Sequence, residues 1–182
     1  MTFDKAHYHQ YFQDRVSELT SINHSIWGFV GAAALLEYVT QLLHSGDSSP
    51  QKYKDFFASK YINPKYNAFI YQNGKQDLPV QIYHTYRCGL LHGFSLTPDS
   101  KGIARGARAK SIVFNSLKDT PELVASENCK AYKEYGFDAC RLILEPFVQD
   151  IGVAIDKIFA DATIEQSIID SASKHPPFNY YG

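Results

Sequence analysis

The sequence predicts an all-α protein, a helical bundle with a small irregular or β-hairpin insertion after its central helix. Three observations predict it. An apolar stripe at helical spacing runs from Thr20 or Ser21 to about His44. A second runs from Phe137 to Phe159. Between them, Tyr83-His-Thr-Tyr-Arg-Cys-Gly-Leu-Leu-His-Gly93 sets an arginine and a histidine in an apolar, helix-compatible segment, followed by a basic loop. The whole chain, 1–182, reads as a single domain, with 1–19 an N-terminal helix and 174–182 a C-terminal tail.

The elements follow in order. Asp4 to Leu19 is amphipathic, with Tyr8, Tyr11, Phe12, Val16 and Leu19 at helical spacing. Thr20 or Ser21 can cap the next helix, whose stripe includes Ile22, Ile26, Phe29, Val30, Ala33, Leu36, Val39, Leu42 and Leu43. Gly28, Gly31 and Ala32 to Ala34 lie within it. Glycine weakens a helix interior by about 1 kcal/mol, so these small residues predict close approach of another helix, from this chain or a second subunit. Ser45 to Pro50 is a loop, Gln51 to Tyr61 a helix, and Asn63-Pro64 its stop. Tyr66 to Tyr71 is a short helix or an irregular aromatic segment, and Asn73-Gly74 a turn.

Asp77 is a candidate cap and Pro79 suits a first turn, so the motif helix is placed from Leu78 to about Leu91. The helical pattern breaks from Phe94 to Asn115, where Ser111 to Asn115 has strand character. Helices are expected at Leu123 to Tyr135, at Phe137 to Phe159 with a bend at Pro146, and at Thr163 to Ser173.

Composition excludes several classes. Hydrophobic residues make up 45% and charged residues 20%, which suits an ordinary globular chain rather than a disordered one. A net charge of -1 argues against coating nucleic acid with the whole surface and leaves room for a local patch. Three cysteines, Cys88, Cys129 and Cys140, are too few for a disulfide framework and point to a reducing cytoplasm. The uncharged apolar run from Ile26 to Leu36 is shorter than the ~20 residues that span a bilayer, so no membrane association is expected. The N-terminus lacks a signal-peptide pattern.

Arg87 and His92 form the candidate catalytic pair. Five residues along an α-helix correspond to about 140° of rotation and roughly 7.5 Å of rise. The pair therefore does not stack, but an arginine can curl toward its neighbour, particularly where Gly89 and Gly93 loosen the helix. Arginine offers phosphate a planar fork of donors, and histidine moves protons near neutral pH. The competing reading is structural. An arginine near a helix end is commonly solvated or paired, and Glu37, a carboxylate inside an apolar stripe, needs such a partner.

The run from Lys101 to Lys110 carries Lys101, Arg105, Arg108 and Lys110 and no acid. These four, with Tyr83 and His84, are candidate substrate-binding residues, although a basic run of this length is commonly a solvated loop. His84, Cys88 and His92 recur every four residues, but on a straight helix the outer two stand about 12 Å apart in rise and cannot share one ion. His7 and His9 lack ligand spacing. No metal and no cofactor are expected. Cys88 as a nucleophile, with His84 or His92 as its base, competes with an inert cysteine in an apolar helix.

Arg87-Cys-Gly-Leu-Leu-His92, with the earlier helix bearing Ala32-Ala-Ala-Leu-Leu-Glu-Tyr38, resembles the R-x(4–6)-H signature of the HEPN superfamily over roughly Thr20 to Asp161. The resemblance implies an all-helical domain. It also implies metal-independent endoribonuclease activity in a toxin–antitoxin, defence or RNA-processing setting. His92 would act as general base or acid on the ribose 2′-OH, and Arg87 would stabilise the phosphorane. It implies a homodimer with the motif helices near the interface, RNA as substrate, and an antitoxin or nucleotidyltransferase as possible protein partner. Members that have lost catalysis serve as modules binding RNA, nucleotide or protein, and the same residues are compatible with that alternative. Cys88 stands where the family often has a polar residue, which would remove one orienting hydrogen bond; Glu37 and Cys88 are thus the candidate structural or orienting residues.

Overall fold

A computed structural model describes residues 4–23, 25–44, 48–72, 77–88, 112–134 and 137–174. Asp4 starts helix α1, Lys5–Ser21, its carboxylate accepting from the amides of Ala6 and His7 at 3.0 and 3.2 Å. Tyr8 and Phe12 bury their rings against Phe159, so the apolar face of α1 is spent inside the chain.

Helix α2, Ser25–Leu43, runs through the centre, with Phe29, Ala32, Ala33, Leu36, Val39 and Leu42 buried. Gly28 and Gly31 serve contacts within the chain. A side chain at Gly31 would collide with Leu19 of α1, and one at Gly28 with Leu144. Among the described residues α2 alone is long and apolar enough to cross a membrane by length and composition, and half of Ile26–Leu43 is buried in the fold.

Ser49 caps α3, Pro50–Ala58, whose face of Tyr53, Phe56 and Phe57 enters the core. A single helical turn, α4 (Lys65–Ala68), follows. Pro79 occupies the first turn of α5, Leu78–Gln81, as its missing amide allows. Asp77 does not cap that turn with its side chain and pairs instead with Lys54 at 2.7 Å.

From Ile82 to Cys88 the chain continues as a π-helix. Hydrogen bonds from residue i to i+5 replace the α pattern expected there, so residues five apart, such as Tyr83 and Cys88, fall on one side. Tyr86 anchors this segment. Its ring is buried among Phe29, Phe114 and Phe147, and its hydroxyl donates to the Phe29 carbonyl at 2.6 Å.

The all-α expectation is corrected by a three-stranded mixed sheet of order β1-β3-β2. Strand β1, Ile112–Asn115, lies parallel to β3, Phe137–Ile143, with Ile112 opposite Cys140 and Asn115 opposite Ile143. Strand β2, Lys130–Glu134, runs antiparallel to β3, with Lys130 opposite Arg141 and Glu134 opposite Phe137. Within the helix expected at Leu123 to Tyr135, Lys130–Glu134 is a strand and Ala125–Glu127 a 3₁₀ turn, and the first seven residues of the helix expected at Phe137 to Phe159 form β3. The segment Ala139-Cys140-Arg141-Leu142-Ile143, apolar except for Arg141, suits a strand as well as a helix, and β3 is paired on both edges.

Helix α6, Leu144–Ala160, starts immediately after β3. Pro146 falls in its first turn, where the amide is unpaired in any helix, and so marks the start instead of bending the middle. The Glu145 carboxylate accepts from the Ser116 hydroxyl at 2.6 Å and the Leu117 amide at 2.9 Å, fixing the turn after β1. Asp161 caps a 3₁₀ turn that leads into α7, Glu165–Lys174. Ser167 and Ser171 of α7 donate to the Leu42 and Gln41 carbonyls at 3.0 and 2.6 Å, satisfying groups that the last turn of α2 leaves open.

Candidate functional site

The polar cluster containing Arg87 is assembled by three elements. Helix α2 brings Glu37, α3 brings Tyr53, and the π-helical segment brings Tyr83, His84, Arg87 and Cys88. Glu37 lies on the apolar stripe of α2, six residues before its end at Leu43, and 14% of its side chain stays exposed. Arg87 reaches it side-on. Its Nε donates to Glu37 Oε2 at 2.8 Å and its Nη2 to Oε1 at 3.0 Å, a two-pronged match of planar groups.

The surroundings hold that geometry. Tyr53 donates to Glu37 Oε2 at 3.2 Å and Gln41 to Oε1 at 3.3 Å. The guanidinium lies 5.6 Å from the centre of the Tyr83 ring, and Nη1 points at Cys88 Sγ, 3.7 Å away. Tyr83 packs edge-on to Tyr53 and donates to the Ser48 carbonyl at 3.3 Å. His84 is half-buried with its ring edge-on to Tyr83.

Burial by itself would raise the Glu37 carboxyl; the hydrogen bonds and charge of Arg87, with help from Tyr53, outweigh it and hold the group below its ordinary range. The Glu37 hydrogen bonds raise the Arg87 guanidinium further above its already high value. Burial, then Glu37, pushes the Tyr53 phenol well up, so it remains a donor. His44 follows directly after α2, near Lys52 and Asp55 of α3; burial lowers its pKa, and its Nε2 is enclosed without a hydrogen bond.

This arrangement limits what Arg87 can offer an anion. Its Nε and one Nη2 hydrogen are engaged by a carboxylate, and its charge is largely cancelled. The Nη1 edge is what remains for an anion, and the Glu37 carboxylate beside it weakens the attraction that edge can exert.

Comparison with known protein families, curated proteins and solved structures finds no match to this chain.

Of the sequence-predicted residues, Glu37, Tyr83, Arg87 and Cys88 come together, with His84 alongside. His92, Lys101, Arg105, Arg108 and Lys110 lie outside the described residues. His9 of α1 shares a 2.7 Å hydrogen bond between its Nε2 and Asp156 Oδ1 and stacks on Phe159. Among the described residues no three His, Cys, Asp or Glu side chains stand close enough to hold a metal ion.

Sequence reasoning missed Tyr53 and His44. Tyr53 reads as one more aromatic on a core-facing stripe, and nothing in its spacing singles out the hydroxyl that meets a carboxylate. A second buried network was also missed. Tyr66 donates to Asp150 at 2.6 Å while accepting from Asn128 at 2.9 Å, and Asn128 accepts from the Ile143 amide at 2.9 Å.

Proposed function

We propose that this chain is a catalytically silent module that binds RNA. The observation that carries the silent reading is the two-pronged Glu37–Arg87 pair, which engages the guanidinium needed to meet a phosphorane. RNA is favoured as ligand by the four cations and no acids of Lys101 to Lys110, close behind the motif in a chain of net charge -1. Binding would then be a local, salt-sensitive contact of this run with phosphates, and Arg87 would keep the neighbouring segment in shape.

Metal-independent cleavage is the second reading. It is favoured by the retention of both motif residues, Arg87 and His92, and by the 20% of the Arg87 side chain that stays exposed. In that mechanism His92 takes the 2′-OH proton, the 2′-oxygen attacks the adjacent phosphorus, Arg87 leaves Glu37 to meet the phosphorane, and the P–O5′ bond then breaks, the 5′-oxygen leaving with a proton and a 2′,3′-cyclic phosphate remaining.

One experiment separates the two. A labelled RNA pool is incubated with protein in EDTA and followed by anisotropy and by denaturing gel. The proposal expects binding that weakens steeply with salt, is lost when Lys101, Arg105, Arg108 and Lys110 are changed to serine, and leaves the RNA intact. Cleavage abolished by His92→Ala would overturn silence, and wild-type protein that binds no RNA would overturn the ligand assignment.

A further inference from the structure

Cys129, at the turn just before β2, meets Cys140 of β3, far from the Arg87 cluster in the chain. Their sulfurs are 3.9 Å apart, in van der Waals contact, against the ~2.05 Å of a disulfide bond. The contact is not what the ladder alone would give. Ala131 is the partner of Cys140, which leaves Cys129 diagonal to it, and diagonal pairs stand roughly 7–8 Å apart, beyond the usual disulfide span. The backbone supplies the difference. Cys129 has φ 65°, the only left-handed non-glycine among the described residues, and its amide still donates to the Arg141 carbonyl at 2.8 Å. The chain thus turns at Cys129 while staying tied to β3. A cysteine in a conformation that glycine or asparagine adopts more easily, with its sulfur against a second cysteine, points to a use for the sulfur.

We propose that Cys129 and Cys140 form a reversible dithiol–disulfide site with hydroperoxides as the oxidant. The two sulfurs have different access: 8% of Cys129 is exposed and none of Cys140. Burial also holds the Cys140 thiol well above its ordinary pKa. Cys129 is therefore the sulfur that reacts first. Its thiolate attacks one peroxide oxygen and the O–O bond breaks, giving a sulfenic acid at Cys129 and releasing water after protonation. Cys140 sulfur then attacks Cys129 sulfur, forming the S–S bond and expelling the sulfenic oxygen as a second water. Two thiols lose two protons and two electrons, and one hydrogen peroxide becomes two waters. Peroxide is small enough for a nearly enclosed thiol, which bulkier disulfides are not.

Native protein, well below its melting temperature, is treated with hydrogen peroxide, blocked with N-ethylmaleimide after unfolding, and digested without reductant. The expected product is a Cys129–Cys140 linked peptide two hydrogens lighter than the free pair, abolished by dithiothreitol, with Cys88 scored on its own peptide. In a Cys140→Ser variant, Cys129 should be trapped by dimedone as the sulfenic acid. Recovery of both cysteines as free thiols, or of Cys129 as sulfinic acid without linked peptide, overturns the proposal. The wild-type peptide map decides this alone should the variant fail to fold.

Discussion

Glu37 and Arg87, fifty positions apart in the chain, share two hydrogen bonds of 2.8 and 3.0 Å and tie the central helix to the π-helical segment. Removing one partner strands the other in a largely enclosed site. Arg87→Ala is expected to cost about 2–4 kcal/mol, the upper part of the range for a buried pair being softened by its remaining exposure. Arg87→Lys keeps the charge but not the side-on fork and should recover less than half of that. Changing both Glu37 and Arg87 to alanine should cost less than the two single changes added together. Urea unfolding of the four proteins checks this, and strict additivity would rule the coupling out.

The same pair sets an acid limit. The Glu37 carboxyl lies below its ordinary 4.5 in the folded chain because Arg87 outweighs the effect of burial. A carboxyl depressed by folding adds stability that is complete above its unfolded value and is lost as pH falls through the folded one. Other depressed acids, such as Glu145, act in the same direction, so the comparison must be a difference. Wild-type stability minus that of Glu37→Gln is expected to be constant from pH 7 to about 5 and to shrink below 4.5. A difference that stays flat to pH 3 would contradict it.

The pair was legible only as the competing reading of Arg87: a carboxylate in an apolar helical stripe needs a partner, and Arg87 was one candidate in a second apolar, helix-compatible segment. What stayed hidden is set by tertiary structure. The i to i+5 geometry of Ile82–Cys88 has no compositional signature, so an α-helix was the natural expectation. Lys130 to Glu134 has helix-favouring residues and becomes a strand only because β3 offers it an edge. One signal was present and read the other way. Pro146, two residues after Leu144, suits the first turn of a helix as well as a bend in a longer one, and choosing the former would have freed Phe137–Ile143 to be a strand.

Gly28 tests the close packing of α2. A side chain there would run into Leu144 and Ile22, the former fully enclosed where β3 meets α6. Gly28→Val should lower stability by about 1–3 kcal/mol through overpacking, despite replacing a glycine in a helix. Val153, exposed on α6, provides the control, since Val153→Ala removes little buried surface and should stay within about 0.5 kcal/mol. Equal denaturation midpoints for the two variants would contradict the packing.

The Tyr66 hydroxyl joins Asp150 and Asn128, and through Asn128 the amide of Ile143 at the end of the central strand. Tyr66→Phe keeps the ring against Phe57 and Phe147 but leaves the enclosed Asn128 side-chain amide short of its acceptor, while the part-exposed Asp150 keeps Lys65 at 2.6 Å. The expected cost is about 1–3 kcal/mol. Hydrogen exchange distinguishes this from a general weakening. The Ile143 amide should lose more protection than amides of the α1 face around Phe12, because its acceptor Asn128 is no longer held. Uniform loss of protection across both regions would show that the hydroxyl acts on global stability alone.

Trp27, the chain's sole tryptophan, reports on the outer face of α2. It is 53% exposed, beside the exposed Ile26, on a helix whose opposite side is core. A half-exposed indole emits toward the red and is reached by a charged quencher that cannot enter a core. Folded protein is therefore expected to show emission close to that of the unfolded chain and substantial quenching by iodide. Quenching that falls as protein concentration rises would locate an association surface on this face. Blue-shifted emission insensitive to iodide even at high dilution would mean that Trp27 is covered within the chain, and the outer face of α2 would then be part of the core.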